Sequence, residues 1–314
     1  MLKCALTQAK TVAIGGHIRP DGDCVGSCMG LYQYIKKNHP DIAADVYLED
    51  IPESFKEMFP FTKEIRMEAL KEQVYDLFIA VDCGDERRLG FSAELFQKAK
   101  RTLCIDHHVS NQAFADENYV VPEASSAAEL VYRLLDADKL DAGIAECLYL
   151  GIVHDTGVFQ YSSTSPETME IAADLMRRGI RANEIIDKTF YEKTYVQNRI
   201  LGKALLESNC VQDGKVIVSL LTAATMQEYG VVAKDLEGIV SQLRMTKGVE
   251  VAVFLYEIGP QEYKVSLRAT ADVDVNAVAS AFGGGGHKKA AGVTIKGEAK
   301  QIVSSLIMEI AKQL

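Results

Sequence analysis

Residues 11–23 of the chain read TVAIGGHIRPDGD, and this stretch joins an apolar strand pattern to a loop rich in charged side chains. Residues 11–16 form a short apolar run, which is typical of a strand covered on both faces. The pattern of residues 24–38 is helical. A strand, a polar loop and a helix in this order predict the start of an α/β domain.

Similar patterns continue through the first half of the chain. Further strand patterns lie at residues 44–48, 77–82 and 102–106, and helical patterns lie at residues 127–135, 142–153 and 166–178. Buried strands that alternate with helices predict an α/β fold with a doubly wound parallel sheet. Sheets of this kind bind ligands just beyond the carboxyl ends of their strands.

The second half has a different pattern, with strands that follow one another closely. Strand patterns lie at residues 215–221, 250–256 and 262–269, and helical patterns lie at residues 234–245, 275–281 and 298–312. Gly259-Pro260 between the last two strands indicates a hairpin. We predict a first domain at residues 1–184, a helical connector at 185–206 and a smaller mixed-sheet α/β domain at 207–314.

Composition narrows the classes of function. The 314 residues carry a formal net charge of −10, which argues against a protein that coats long nucleic acid through a basic face. A short nucleotide in a local basic pocket remains compatible with this charge. We expect no membrane partner, because no apolar segment approaches the roughly 20 residues that cross a bilayer.

The cysteines indicate a reducing compartment. There are seven, scattered along the chain, and they form neither a disulfide framework nor paired zinc motifs. We interpret Cys24 and Cys28, one helical turn apart, as buried thiols rather than ligands. Because the amino terminus also lacks the apolar run of a signal peptide, we expect a cytoplasmic protein.

Four short segments combine carboxylate and imidazole side chains, each at the end of a strand or helix pattern. They are His17-Ile18-Arg19-Pro20-Asp21-Gly22-Asp23, Asp82-Cys83-Gly84, Asp106-His107-His108 and Asp155-Thr156-Gly157. A single Asp in such a place is usually a helix cap, and a single His is usually a surface or core residue. Four such segments in one half of the chain are hard to explain as caps.

These residue types favour divalent metal ions. Carboxylates suit hard cations, and added imidazoles shift the preference toward manganese, zinc, iron or cobalt. Two ions about 3.5–4 Å apart can clamp a phosphoryl group, provided that one carboxylate bridges them. Pro20 and Gly22 make the first loop turn sharply, so that Asp21 and Asp23 can point to different ions.

The four segments resemble the ordered motifs of the DHH phosphoesterases, a family named for the triplet seen here as Asp106-His107-His108. The second half is similar to the DHHA1 domain, because residues 283–292, which read GGGGHKKAAG, resemble the signature of that domain. Size and domain order are most similar to the oligoribonuclease (nanoRNase)/pAp phosphatase group of that family. The resemblance covers nearly the whole chain.

The resemblance implies two metal ions that share one carboxylate. The ligands of the first ion would be His17, Asp21 and Asp82, and those of the second would be Asp23, Asp82, His107 and Asp155. We expect manganese, with magnesium or cobalt as alternatives. The catalytic residues would be Asp82, His108 and Asp106: His108 would face the scissile phosphate, and Asp106 would orient one of the imidazoles that bind metal.

The resemblance also implies a substrate-binding set in the second domain. Its members would bind phosphate through backbone N–H groups or polar side chains: Ser266, Arg268, Gly284, Gly285, Gly286 and His287. The glycine run has a plainer interpretation as a flexible loop, and Lys288 and Lys289 as a solvated face. Arg19 in the first domain either contacts phosphate or is simply exposed.

Together these features predict hydrolysis of a phosphoester by a metal-bound hydroxide. The expected substrates are short oligoribonucleotides, shortened to mononucleotides, and pAp, converted to AMP; long duplexes are not expected, and an oligomer is possible. The nearest alternative is cleavage of cyclic di-AMP or its linear product pApA. A third alternative is a nucleotide-binding regulator without turnover, which would predict a lost metal ligand, and none is lost.

Overall fold

The structure is a computed structural model that describes residues 1–70, 72–270 and 272–314. The chain divides into two compact units, Met1–Glu192 and Lys193–Leu314. The division falls inside the segment 185–206 that the sequence assigns to a connector, so the finer boundaries stay a prediction. No helix among the described residues is long and apolar enough to cross a membrane.

The first unit alternates strands with helices. Its strands are β1 Thr11–Gly15, β2 Ala43–Tyr47, β3 Ile65–Arg66, β4 Leu77–Val81, β5 Thr102–Asp106 and β6 Glu117–Val120. Its α-helices are α1 Leu2–Thr7, α2 Gly22–Asn38, α3 Glu53–Met58, α4 Ala93–Lys98, α5 Ala127–Leu134, α6 Ala142–Asp155, α7 Pro166–Arg177 and α8 Ala182–Ile186. A single π-helical turn, Asp187–Tyr191, follows α8.

These strands form one sheet in the order β3-β2-β1-β4-β5-β6, and every pair of neighbours is parallel. The chain winds outward from β1 to one edge and from β4 to the other. The predicted doubly wound parallel sheet is therefore confirmed. The neighbours β1 and β4 mark the switch point, where the loops beyond the two strands diverge and leave room for a ligand.

Helices cover both faces of this sheet, which explains the continuous apolar strand patterns. In β1, Val12 and Ile14 belong to the large core that α2, α5 and α6 complete. Ala13 between them belongs to a smaller core on the opposite face, with Phe78 of β4 and Leu95 of α4. Because successive strand residues face opposite sides, a strand buried on both faces needs an apolar residue at every position.

Helices α2 and α6 pack closely because glycines meet at their contact. A Cβ atom on Gly26 would lie 2.4 Å from the carbonyl oxygen of Cys147, and one on Gly151 would lie 2.7 Å from Oδ1 of Asp23. No side chain fits at either position. The close approach brings the carboxyl-terminal end of α6, with Asp155, beside the loop that begins α2.

The second unit is smaller. Its strands are β7 Asn209–Val211, β8 Val216–Leu221, β9 Val251–Gly259, β10 Glu262–Ala269, β11 Gly285–His287 and β12 Ala290–Lys296. Its α-helices are α9 Tyr195–Leu206, α10 Ala223–Tyr229, α11 Ile239–Arg244, α12 Val275–Ser280 and α13 Ala299–Ala311.

The second sheet has the order β11-β12-β10-β9-β8-β7, with β8 and β9 parallel and the other neighbours antiparallel. Apolar cores lie on both of its faces, one with α12 and α13 and the other with α9, α10 and α11. The predicted mixed sheet is confirmed. The single helix predicted at residues 234–245 is instead a 3₁₀ turn and α11, because the chain breaks at Gly238 with φ of +86°.

Candidate metal centre

The switch point of the first sheet carries the first two polar segments. His17 follows β1 and Asp82 follows β4, and these strands are neighbours. The backbone of Asp82 has φ of +54°, a left-handed conformation that Asp and Asn tolerate better than most residues. Its amide donates a hydrogen bond to the carbonyl oxygen of Ile105, which ties this turn to β5.

Asp82 lies at the centre of the site, and its carboxylate faces three histidines. Its Oδ2 atom is 3.5 Å from Nε2 of His17, and its Oδ1 atom is 3.6 Å from Nε2 of His107 and 3.7 Å from Nδ1 of His108. The side chain is only 3% exposed, and Oδ1 has no hydrogen-bond partner within the described parts of the chain. A buried carboxylate oxygen without a partner is costly unless a cation meets it, so this atom fits a metal ion.

His17 and Asp21 form one side of the site. Asp21 caps α2, because its Oδ1 atom accepts hydrogen bonds from the amides of Asp23 and Cys24. Its Oδ2 atom is 3.6 Å from Nε2 of His17. Nδ1 of His17 is 2.8 Å from the carbonyl oxygen of Ile18, and donation there leaves the lone pair of Nε2 for a metal.

His107, Asp155 and Asp23 form the other side. Nε2 of His107 is 3.3 Å from Oδ2 of Asp155 and 3.8 Å from Oδ2 of Asp23. The carboxylate of Asp23 also accepts hydrogen bonds from the amides of Ala127 and Ala128, at 2.6 and 2.9 Å. The amino terminus of α5 therefore holds Asp23 in place, a contact that nothing in the sequence indicates.

His108 is held from behind by two further residues. Nδ1 of His108 is 2.7 Å from Oδ1 of Asp106, which is fully buried. Oδ2 of Asp106 accepts a hydrogen bond of 2.7 Å from the side-chain amide of Asn111. Asp106 therefore contacts the imidazole of His108 and not one of the predicted metal ligands, because the two residues lie two positions apart where β5 ends. Sequence reasoning missed Asn111, because a single loop Asn has no distinguishing pattern.

The crowding of charges raises the pKa of the two central histidines. Burial lowers the pKa of His17, but Asp21 and Asp82 beside it raise it to about 12. Burial likewise lowers the pKa of His107, while Asp82 and Asp23 contribute to a net rise to about 10. Without a metal ion, both imidazoles therefore hold protons at neutral pH.

The carboxylates diverge in their pKa values. Burial, with the neighbouring charges of Asp82 and Asp155, raises the pKa of Asp23 well above its ordinary value. Burial and nearby carboxylates raise the pKa of Asp155 to about 6. Burial also acts to raise the pKa of Asp82, but His107 and His17 more than offset it and keep it below its ordinary value. Such divergent pKa values are typical of a functional site.

Groups able to hold a metal ion cluster in three overlapping sets among the described residues. Within each set the ligand atoms lie within 4.8 Å of one another, and the sets are Asp82 with His107 and His108, Asp23 with His107 and Asp155, and His17 with Cys24 and Asp82. Asp82 belongs to two of them. The six residues that the sequence predicts as ligands thus meet at one edge of the sheet, and their carboxylate and imidazole donors suit divalent metal ions.

Comparison with known proteins identifies the family of the chain. The model of the DHH family N-terminal domain matches residues 11–152, and that of the DHHA1 domain matches residues 213–313. The bifunctional oligoribonuclease and PAP phosphatase NrnA of Thermus thermophilus is 31% identical over 91% of this chain and 84% of its own length. The chain belongs to the DHH family. The NrnA relatives of this DHH protein are named as oligoribonucleases and PAP phosphatases, and it is a hydrolase itself.

Two further similarities cover almost the whole DHH chain. The NrnA protein of Bacillus subtilis is 25% identical over 94% of this chain and 93% of its own length. The crystal structure of an exopolyphosphatase-related protein from Bacteroides fragilis has a TM-score of 0.91 and 27% identity, and it covers 99% of this chain and 94% of that one. These similarities therefore span both matched domains of the chain.

The DHHA1 domain brings three of its predicted substrate-binding side chains onto one face. Arg268 of β10 pairs with Ala290 of β12, and Ala290 pairs with His287 of β11. Residues directly opposite each other in antiparallel strands share a face, so Arg268, Ala290 and His287 form a row across the sheet. Ser266 lies on the same face, two residues before Arg268. Strand spacing puts the ends of the row about 10 Å apart, with the small Ala290 between them.

The glycine run is part of the sheet rather than an open loop. Gly285–His287 forms β11, and the amides of Gly283, Gly284 and Gly286 donate to Ser280, Ala279 and Asn276 respectively. A Cβ atom on Gly284 would lie 2.4 Å from the carbonyl oxygen of Gly292. Close strand packing therefore accounts for Gly284 and Gly286, whatever their part in ligand binding.

The remaining basic candidates lie at the surface. Arg19 is exposed, with φ of +53°, and its amide donates to a carboxylate oxygen of Glu49 at 2.8 Å. Lys288 and Lys289 are exposed, and Nζ of Lys289 donates to the carbonyl oxygen of Thr270. Ser126 caps α5 by accepting from the amide of Glu129, as expected of a Ser before a helix.

Proposed function

We propose that this DHH hydrolase uses two divalent metal ions to hydrolyse short oligoribonucleotides to mononucleotides, and pAp to AMP. One observation carries the proposal: the buried carboxylate of Asp82 points Oδ2 at His17 and Oδ1 at His107 and His108, and Oδ1 has no hydrogen-bond partner among the described residues. The oligoribonuclease and PAP phosphatase activities named for the relatives in Thermus thermophilus and Bacillus subtilis supply the substrate class.

The proposed ligands divide between two ions that share Asp82. One ion would be held by His17, Asp21 and Asp82, and the other by Asp23, Asp82, His107 and Asp155. The mixture of carboxylate and imidazole supports manganese, with magnesium or cobalt as alternatives. Such a pair of ions supplies Lewis acidity toward the phosphoryl oxygens and lowers the pKa of water.

His108 is the proposed residue for charge or proton transfer at the scissile phosphate. Asp106 accepts the hydrogen on Nδ1, which fixes the ring and leaves Nε2 for the substrate. Asn111 in turn fixes Asp106. A neutral or protonated imidazole held in this way can stabilise the phosphoryl oxygens or protonate the leaving oxygen.

The row formed by Arg268, Ala290 and His287 is the proposed site for a terminal phosphate. A guanidinium suits bidentate contact with phosphate oxygens, and the small Ala290 leaves room for them above the sheet. Ser266 adds a hydroxyl on the same face. We propose that backbone groups of Gly284, Gly285 and Gly286, and the exposed Arg19, contribute secondary contacts.

The charge of the whole chain supports short substrates. A net charge of −10 repels a long polyanion, while a single terminal phosphate meets only the local cations of the row. Buried free thiols at Cys24, Cys28, Cys83, Cys104 and Cys147 agree with a reducing compartment such as the cytoplasm.

A product assay tests this function. The protein, supplied with Mn²⁺, is incubated separately with a labelled ladder of short RNAs, with pAp and with cyclic di-AMP. Loss of the short RNAs and pAp, with cyclic di-AMP unchanged, is the expected result. Preferential opening of cyclic di-AMP would move the substrate to cyclic dinucleotides. No turnover of any substrate would contradict catalysis and leave a nucleotide-binding regulator.

A further inference from the structure

The thiol of Cys24 lies inside the loop that carries His17. Cys24 is in the first turn of α2 and is fully buried. A Cβ atom on Gly16 would lie 2.2 Å from its Sγ atom, so only a glycine there admits the thiol. The Sγ atom is 4.0 Å from the carbonyl oxygen of His17. The thiol is therefore fixed against the backbone that positions this imidazole.

The sequence alone suggests that Cys24 is an ordinary buried thiol, but the structure places it in one of the clusters of potential ligands. One ligand atom each of His17, Cys24 and Asp82 lies within 4.8 Å of the others. Ligand atoms around a tetrahedral zinc ion are about 3.5 Å apart, so this set needs to contract by only about 1 Å. The Asp82 oxygen that faces His17 is Oδ2, at 3.5 Å, and the other oxygen of the same buried carboxylate, Oδ1, has no hydrogen-bond partner among the described residues, so this carboxylate fits a cation.

The His17–Asp82 pair thus has two different third donors. Asp21 offers a carboxylate whose side chain is 62% exposed, whereas Cys24 offers a fully buried sulfur. Hard cations such as manganese and magnesium prefer the carboxylate, and thiophilic ions prefer the sulfur. His17 and Asp82 can therefore bind a hard ion together with Asp21, or a thiophilic ion together with Cys24.

We propose that Cys24 is a ligand for thiophilic divalent ions, namely zinc, cadmium and cobalt, at the His17–Asp82 position. This inference rests on the metal centre of the proposed function, but not on its substrate. As the bond from Sγ to the ion forms, the S–H bond breaks and its proton passes to solvent. The sulfur ligand gives this position a higher affinity for zinc or cadmium than the oxygen donors alone provide.

Cobalt spectroscopy on the full chain tests the proposal without relying on activity. A thiolate bound to Co²⁺ gives an intense near-ultraviolet charge-transfer band, which oxygen and nitrogen ligands do not give. We expect this band on titrating the wild-type protein, and its loss in Cys24→Ser and Cys24→Ala. Cys28→Ser is the matched control, because Cys28 is a buried thiol one turn further along the same helix. The charge-transfer band should persist in this variant.

Competition for a chelator gives a second readout. Cys24→Ser should weaken Cd²⁺ binding by about tenfold or more, as for loss of a supporting metal contact, and should change Mn²⁺ binding much less. Melting followed by circular dichroism establishes that each variant is folded.

Each contrary outcome is distinguishable. Stoichiometric Co²⁺ in equilibrium dialysis without the band overturns the Cys24 ligand and leaves the metal centre standing. A band that survives in both Cys24 variants, or disappears in Cys28→Ser alone, assigns the sulfur to another cysteine and also overturns it. No bound Co²⁺ in dialysis overturns the ligand and the metal centre together.

Discussion

The metal centre of the first domain and the glycine-rich strand of the DHHA1 domain both come from short motifs, but the two motifs fold differently. In the first domain, separate segments converge, and the chemistry lies in buried side chains around Asp82. In the second, one continuous run becomes strand β11, and its amides serve the sheet and the neighbouring helix. A charged motif therefore indicates a site through its side chains, whereas a glycine motif also indicates how closely strands pack.

The largest loss of activity should come from Asp82→Asn, at the centre of the buried site in the first domain. Asn tolerates the left-handed backbone at this position but removes the charge that faces His17 and His107. We expect kcat/KM to fall by about a thousandfold or more, or about 4 kcal/mol. Steady-state kinetics on a short RNA with Mn²⁺ measures this. Asp50→Asn, at a carboxylate 74% exposed, is the control. Retained activity in Asp82→Asn would contradict a central bridging carboxylate.

Arg268→Ala should produce a smaller effect of a different kind. Loss of a charged hydrogen bond to phosphate costs about 1.5–3 kcal/mol, so we expect KM to rise about tenfold to a hundredfold with a smaller change in kcat. Lys264→Ala is the matched control, because Lys264 is an exposed cation on the same face of β10. Equal effects in both variants would mean that general charge, rather than the row at Arg268, binds the substrate.

Metal binding should depend on pH in the first domain. His17 and His107, with pKa values raised to about 12 and about 10, are protonated in the metal-free protein, and a metal ion must displace those protons. The affinity for Mn²⁺ should therefore rise with pH by about tenfold per pH unit for each proton displaced, and less steeply above about pH 10, where only His17 still holds its proton. Calorimetry in buffers of different ionisation enthalpy counts the protons. Binding without proton release would contradict these pKa shifts.

The smallest effects are expected for glycine substitutions that distinguish close strand packing from contact with substrate. Gly286 has φ of +152°, and a Cβ atom there would lie 2.5 Å from the carbonyl oxygen of Ala290, so Gly286→Ala should cost about 1–3 kcal/mol of stability. Gly285→Ala meets its nearest atom at 3.7 Å and should leave the melting temperature nearly unchanged. A raised KM in Gly285→Ala would identify direct contact with substrate; equal destabilisation in both would refute the packing argument.

Much of the fold could be predicted because strong patterns mark it. The buried strands β1, β4 and β5 are apolar at almost every position, and their parallel arrangement follows from the helices between them. The edge strands β3 and β6 were missed, because β3 has two residues and β6 is only partly buried. A strand that is half covered needs no continuous apolar run, so its pattern is weak.

The candidate site could be predicted to a similar extent. The sequence places each of the four polar segments at the end of an element, and the topology brings those ends together. What the sequence does not contain is the partner of each side chain: the amides of α5 that hold Asp23, and Asn111 behind Asp106. These contacts join residues distant along the chain or lie within a loop, so no local periodicity reports them.

The number of manganese ions that the chain binds tests whether Asp82 joins two metal positions. Titration with Mn²⁺, followed by the electron paramagnetic resonance signal of the free ion, should give two bound ions per chain for the wild type. Asp82→Asn should bind at most one of them tightly, because the shared carboxylate is lost. One ion or none in the wild type, or two tightly bound ions in Asp82→Asn, would contradict a centre in which Asp82 joins two metal positions.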